Sequence, residues 1–176
     1  EGMINEVDPD QLWELLFDSN FIYPEKYEHI QEFRKDFQIT YQKLYKDCPE
    51  IAKHFTYQKD GRIYSHVSLL RAYERAWMVH HHAARAVEGN PGRIVLKKMI
   101  SYLYDLRRLP SAMLDYFICY FRPGNTFADR IYMDFARGKN DSRVCSVDRF
   151  TYLPHRAGTK KSELPEGWSL QECSPY

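Results

Sequence analysis

Two tight turns in the middle of the chain constrain its fold more than any other feature. Lys59-Asp60-Gly61 separates the β-rich segments Ile51–Gln58 and Arg62–Tyr73, and it is a typical hairpin loop. Glu74-Arg75 then leaves only two residues before the next β-rich segment, Ala76–Ala84. Because such short loops connect antiparallel neighbours, the sequence predicts a three-strand antiparallel meander.

Helices are predicted on either side of this meander. Asp8, as a capping residue, begins an amphipathic helix. Apolar residues spaced three and four apart predict a second helix over Glu25–Tyr45. After the meander, Asn90 is a suitable N-cap and Pro91 a suitable first residue for a helix that continues over Arg93–Leu106.

The last third of the sequence predicts a strand, a helix and a strand. Met113–Phe121 reads as a buried strand, Asn125–Ala136 as a helix and Arg143–Leu153 as a final strand. The full element order predicts an α+β fold, an α/β/α sandwich with a mixed, mostly antiparallel sheet flanked by helices.

Length, charge and cysteine spacing narrow the class of protein. The 176 residues suit one domain, which we place at residues 8–155, with 156–176 as a tail or the start of a further region. The 25 basic and 24 acidic residues nearly cancel, which argues against a nucleic-acid partner. No apolar run approaches the roughly 20 residues of a membrane span. Four separated cysteines favour a reducing, cytoplasmic location.

One short motif gives the fold a family resemblance. Asn125 is followed by Ala128 and then by Tyr132, three and seven residues on, in the helix after the strand Met113–Phe121. With the element order, this motif resembles the GNAT superfamily of N-acyltransferases, of which the chain would be a divergent member. The Gly-Phe that commonly follows the tyrosine is replaced here by Asp134-Phe135.

The resemblance implies an activity and a set of site residues. It implies transfer of an acyl group from coenzyme A or an acyl carrier protein to a small-molecule amine, with Tyr132 as the acid that protonates the departing sulfur. It places the thioester's phosphates at the loop before the Arg93–Leu106 helix. The implied cofactor-binding residues are Gly89, Asn90, Gly92, Arg93 and Asn125. Glu88 lies in this loop and departs from the family pattern. Its carboxylate repels a diphosphate.

The triple histidine His80-His81-His82 permits three interpretations. A metal site is disfavoured, because alternation puts His80 and His82 on one face and His81 on the other. In the register set by the Glu74-Arg75 turn, Leu69 pairs with His80, and no three histidines converge. By the resemblance, His80 and His82 lie on the strand beside the acceptor, where an imidazole serves as a base or holds a water. The simpler alternative is an inert polar face.

Two functional hypotheses therefore remain open. The first is an N-acyltransferase that uses a thioester and an amine. The second is a catalytically degenerate GNAT-like domain that binds a ligand or partner within a larger, multidomain bacterial protein. Asn125, Tyr132 and the histidine strand favour the first, whereas the altered loop around Glu88 favours the second.

Overall fold

The computed structural model describes residues 7–151, 164–169 and 171. The chain forms two compact units, Glu1–Arg122 and Pro123–Tyr176. The first unit contains the sheet and its helices, and the second contains a short helical segment.

The first unit begins with three helices. Helix α1 is Pro9–Asp18, and the Asp8 carboxylate caps it by accepting hydrogen bonds from the backbone N–H groups of Asp10 and Gln11. The predicted helix Glu25–Tyr45 is divided into four consecutive segments. These are helix α2 (Pro24–Ile30), a 3-10 turn (Gln31–Phe33), helix α3 (Arg34–Gln42) and a π turn (Lys43–Asp47).

The changes of helical type alter which side chains face the core. A 3-10 turn advances each residue by about 120° and an α-helix by about 100°, so the interruption shifts the phase of the apolar positions. Tyr27 and Ile30 before the interruption, and Phe37 and Tyr41 after it, pack on the same core as Leu15 of α1. The spacing of apolar residues thus predicted the helical region correctly and missed its breaks.

The sheet has the predicted meander. Strands β1 (Ala52–Lys59), β2 (Arg62–Tyr73) and β3 (Ala76–Ala84) pair antiparallel in sequence order. Strand β4 (Tyr116–Cys119) pairs parallel with β3, which gives the order β1-β2-β3-β4 among the described residues. The expected mixed, mostly antiparallel sheet is confirmed.

Strand β4 is shorter and more exposed than the buried strand predicted over Met113–Phe121. A 3-10 turn (Pro110–Ala112) precedes it, and Met113 follows in a left-handed conformation, with φ of 47°, so the chain becomes extended only later. Tyr116 is 66% exposed and Phe117 is 44% exposed. The apolar run therefore predicted a strand correctly, but not its environment.

Helices cover both faces of the sheet. Helix α1 packs on β2 and β3, and helix α4 (Pro91–Leu106) packs on β1 and β2. Neighbouring residues of β3 show that these helices lie on opposite sides. His81 contacts Phe21 and Tyr41 of the N-terminal region, whereas His82 bonds to Gly92 at the start of α4. The predicted α/β/α layering is present.

The second unit contains a helical segment and an irregular one. Asn125 caps helix α5 (Thr126–Ala128), which continues through a π turn (Asp129–Met133) into helix α6 (Asp134–Lys139).

The final strand, predicted over Arg143–Leu153, is wrong within residues 143–151, which contain no strand; Tyr152 and Leu153 lie outside the described residues. The Asp141 carboxylate accepts a hydrogen bond from the Arg143 N–H, and the Asp141 carbonyl accepts from the N–H groups of Val144 and Cys145, which forms a turn. The side chains of Val144 and Phe150 are exposed.

Candidate active site

The ladder between strands β3 and β4 ends at the point where the histidines begin. Their ladder runs from Ala76–Tyr116 to Val79–Cys119, and β3 then continues to Ala84. The start of β4 is tied down by Trp77, whose indole N–H donates to the Ala112 carbonyl at 3.1 Å. Because β4 ends at Cys119, the part of β3 beyond Val79 lies outside the β3–β4 ladder.

A β-bulge changes the predicted orientation of His80. Val67 pairs with His82 and Ser68 with His81, but Leu69 pairs with Val79. His80 is therefore an extra residue in β3 and does not pair with Leu69 as predicted. Its ring stacks on His81, with centroids 3.9 Å apart, so His80 shares the face of His81 and not that of His82. Simple alternation failed because it assumes an unbroken ladder.

His82 lies on the other face and holds the start of α4. Its Nε2 is 3.1 Å from the Gly92 carbonyl oxygen. A carbonyl only accepts, so Nε2 carries a proton and donates it. Ser65 makes a similar link on β2, where its hydroxyl donates to the Pro91 carbonyl at 2.8 Å. These two bonds fix the first turn of α4 against the sheet.

The histidines form a cluster on the face of α1–α3. His54 stacks on Tyr45 at 4.5 Å, and His66 lies edge-on to His54 at 5.5 Å and 6.4 Å from His81. The clustering of His54, His66, His80 and His81 was not predicted, because the sequence-based register omitted His54 and the bulge. The described residues nevertheless contain no group of three His, Cys, Asp or Glu side chains arranged as a metal site.

Burial lowers the pKa of four histidines, His66, His80, His81 and His82, and so favours their neutral form. It lowers the pKa of His66 and His81 well below the usual value, and the neighbouring histidines lower them further. Burial, and then the Lys26 ammonium, lowers the pKa of His80. Burial also lowers the pKa of His82, although its bond to the Gly92 carbonyl opposes that change. A neutral imidazole near pH 7 is the form that a general base requires.

The loop before α4 leaves the helix N-terminus without a side-chain cap. Asn90 occupies the N-cap position in a left-handed conformation (φ 49°), and its side chain makes no capping bond, contrary to the prediction. Gly89 also has a positive φ, 89°, with open space where a side chain would be. Arg93 is exposed in the first turn. An uncapped N-terminus with a nearby arginine is chemically suited to an anion.

Arg85, at the start of the same loop, turns away from any anion. Its side chain is 8% exposed and forms ion pairs with Asp18 and with Glu14, the latter at 3.2 Å. Its Nε also donates to the Ile63 carbonyl at 3.0 Å. Arg85 therefore anchors α1 to the sheet, while the exposed Glu88 remains in the loop.

The two site residues of the second unit have local structural roles. The Asn125 side-chain oxygen accepts the Ala128 N–H at 3.2 Å and so begins the helical segment. Tyr132 lies in the π turn Asp129–Met133 and is half-buried. A π turn inserts an extra residue into a helix and is frequent at functional sites.

Three polar residues of the first unit were missed from the sequence. Tyr41 places its hydroxyl 3.3 Å from His81 Nδ1, and Tyr45 places its hydroxyl 3.5 Å from His80 Nδ1. Ser68 bonds to the Tyr45 side chain and accepts the His81 N–H at 3.1 Å. The available signal was the pair of tyrosines four residues apart, on one face of the helix that precedes a histidine-rich meander.

Comparison with solved structures identifies this architecture. An acetyltransferase from Streptococcus agalactiae 2603 matches with a TM-score of 0.56 and 13% identity, over 88% of this chain and 92% of that one. The complex of AAC(6')-Iy with the bisubstrate analogue CoA-S-monomethyl-acetylneamine matches with a TM-score of 0.55 and 7% identity, over 89% and 97%. A ribosomal-protein-alanine N-acetyltransferase from Brucella melitensis biovar Abortus 2308 matches with 0.52 and 16%, over 88% and 96%. The fold is the GNAT fold.

The chain shares the GNAT fold with these proteins, but the sequence comparisons found no match. No protein-family model matches the chain, and no curated protein matches it. The predicted fold class is confirmed, and no helix within the described residues combines the length and apolarity needed to cross a bilayer. At these identities a shared fold leaves the chemistry to be argued from the site.

Proposed function

We propose that this chain is an N-acyltransferase that moves an acyl group from a thioester to a small-molecule amine. The observation that carries the proposal is that β3 continues to Ala84 after its ladder with β4 ends at the Val79–Cys119 pair. A strand edge that continues beyond its ladder offers backbone N–H and C=O groups to a ligand. The pantetheine arm of coenzyme A or of an acyl carrier protein is an extended amide chain that can bond to such an edge.

The N-terminus of α4 is the proposed phosphate site. Gly89 and Asn90 permit the close approach of a ligand, and Gly92 and Arg93 lie in the first helical turn. Pro91 has no N–H and the Arg93 N–H donates to the Asn90 carbonyl, so the helix dipole and the exposed Arg93 guanidinium are what attract an anion there. Glu88 opposes a diphosphate, which favours a donor with one phosphate, such as a carrier-protein thioester, over coenzyme A. AAC(6')-Iy, which has the same fold, was solved with a coenzyme A analogue.

In the proposed acyl transfer, particular residues take up and donate the protons. The acceptor amine gives a proton to His80, and its nitrogen attacks the thioester carbonyl carbon. The new C–N bond forms as the C–S bond breaks, and the departing sulfur takes up a proton; the acid that the family resemblance implies for this step is Tyr132. His82, which donates to Gly92, positions the phosphate loop, and Asn125 is a cofactor residue in this scheme.

A catalytically degenerate ligand-binding domain is the second candidate. The observation that favours it is that Arg85 is paired with Asp18 and Glu14 and that Glu88 is acidic. Within the described part of the chain, Arg93 in the first turn of α4 is then the nearby arginine outside an ion pair. For either candidate, we propose that residues 8–155 form one domain and that further domains are fused to it. We also propose that the protein is cytoplasmic and bacterial.

Release of free thiol from acetyl-coenzyme A and from an acetylated carrier protein, with a panel of amines, tests the activity. Tyr132→Phe removes only the proposed acid, so it should lower kcat by about 10- to 1,000-fold with KM nearly unchanged. Tyr104→Phe is the matched control, because Tyr104 is an exposed tyrosine on α4. Thiol release that needs the amine and falls in Tyr132→Phe supports the enzyme. Thioester binding without release supports the degenerate domain.

A further inference from the structure

We propose that Tyr45 is a positioning residue that holds the Nδ1 edge of His80, so that Nε2 can take a proton from the acceptor amine. This inference rests on the proposed function. It extends that function to a second residue and to a hydrogen-bond chain that neither the motif nor the fold assigns.

Two local irregularities bring Tyr45 and His80 together. Tyr45 is the middle residue of the π turn Lys43–Asp47, which replaces the end of α3. His80 is the extra residue of the bulge in β3. Each irregularity interrupts the regular hydrogen-bond pattern of its helix or strand. π turns and β-bulges both occur frequently beside active sites. The Tyr45 hydroxyl is consequently 3.5 Å from His80 Nδ1, a long contact of the kind that shortens when substrate binds.

The Tyr45 hydroxyl has a second hydrogen-bond partner, which limits the bonds that its oxygen can make to His80. Ser68 bonds to it, and the Ser68 oxygen is anchored by the His81 N–H, which can only donate. Burial raises the pKa of Tyr45 to about 12, so the hydroxyl stays protonated throughout. The bond to Ser68 opposes burial and lowers the pKa of Tyr45, so Ser68 donates to the Tyr45 oxygen, and the second lone pair of that oxygen can accept a hydrogen bond from His80.

The proton transfers in this arrangement are balanced. His80 Nε2 takes one proton from the amine and becomes an imidazolium. The imidazolium donates its Nδ1–H to the Tyr45 oxygen as a hydrogen bond, and no proton leaves Tyr45. A hydrogen bond to the charged ring is stronger than one to the neutral ring, so Tyr45 stabilises the protonated form of His80.

Other titratable groups around His80 act in the opposite direction. Lys26 from α2 and His81 and His66 from the sheet carry or can acquire positive charge, and the Lys26 ammonium lowers the pKa of His80. Tyr45, in contrast, presents a neutral hydroxyl oxygen to His80, which can accept a hydrogen bond from the protonated ring. Its effect should therefore be measurable as a rise in the pKa of His80 relative to a variant that lacks the hydroxyl.

An NMR titration of the His80 ring tests the proposal without any turnover. Tyr45→Phe keeps the ring that stacks on His54 and removes only the hydroxyl, so the proton affinity of His80 should fall about 3- to 10-fold. Ser68→Ala should lower it in the same direction. Tyr41→Phe is the matched control, because its hydroxyl contacts His81, and it should leave His80 unchanged. An unaltered His80 titration in Tyr45→Phe would overturn the proposal.

Kinetics separate this inference from the proposed function. If the wild-type protein transfers acyl groups, Tyr45→Phe should lower kcat about 10-fold with KM unchanged, and the acidic limb of the pH profile should move to lower pH. A wild-type protein without turnover removes the proposed function but not the NMR result. A normal pH profile in Tyr45→Phe, with active wild-type protein, removes the positioning role alone.

Discussion

His66 shows how much the interior of the first unit depends on neutral imidazoles. Its side chain is fully buried, and neither ring nitrogen has a hydrogen-bond partner among the described residues. Aromatic rings surround it, from Tyr45, His54 and His81. Protonation of such a ring would place an unpaired charge in the core, which costs several kcal/mol. The folded state therefore excludes protons that the unfolded chain would bind.

Stability should consequently fall in mild acid. The pKa values of His66, His80, His81 and His82 are lowered below 6.5, so unfolding takes up protons once the pH falls below about 6.5. Each histidine that titrates fully contributes about 1.4 kcal/mol per pH unit. Urea unfolding at pH 7.5 and 5.5 should give a clearly smaller free energy at pH 5.5.

His66→Phe identifies the source of that pH dependence. A phenyl ring fills the same apolar surroundings and cannot titrate, so the slope below pH 6.5 should decrease by up to about 1.4 kcal/mol per pH unit. His29→Gln, at an exposed position, is the control variant, because it removes a histidine from outside the core. Equal stability of the wild-type protein at pH 7.5 and 5.5 would contradict the buried-imidazole account.

Among the elements, α1 is attached to the sheet by both apolar and ionic contacts. Leu12, Leu15 and Leu16 are buried against the core. At the rim of this contact, Glu14 and Asp18 receive two arginines from the sheet side, Arg62 and Arg85. The two arginines share carboxylates but differ in burial, since their side chains are 54% and 8% exposed.

This difference predicts unequal effects of two similar substitutions. Arg85→Ala removes a buried cation and its bond to the Ile63 carbonyl, so the free energy of unfolding should fall by about 2 kcal/mol; the half-exposed carboxylates limit the loss. Arg62→Ala should cost less than about 1 kcal/mol. Denaturant titration of both variants measures the two values. Equal losses would show that Arg85 is not the anchor of α1.

The elements also show where sequence patterns succeed. The loops Lys59-Asp60-Gly61 and Glu74-Arg75 determine the meander, because short loops leave no other pairing. The bulge at His80 could not be read from the same residues, because alternation is equally satisfied by a ladder without it. The strand predicted over Arg143–Leu153 failed for another reason: β-propensity reports packing on a neighbour, and Val144 and Phe150 are exposed.

For the molecule as a whole, element order predicted more than any single motif. Two helical regions, a meander and a helix-strand crossover are compatible with few topologies, and the GNAT fold was predicted from them. His80 and His82 were placed on the correct strand, but the face of His80 was not predicted correctly. The roles of Tyr45, Ser68 and Arg85 depend on contacts between distant segments, which a single sequence does not contain.

The central claim, that this GNAT fold binds an acyl thioester at the N-terminus of α4, is tested most directly by ligand-induced stabilisation. Acetyl-coenzyme A or an acylated carrier protein, at about 100 times its dissociation constant, should stabilise the protein by roughly 2.7 kcal/mol. Arg93→Ala should abolish most of the shift, whereas Lys98→Ala, an equal charge change on an exposed position of the same helix, should retain it. No shift with either thioester, or an equal loss in both variants, would contradict the claim.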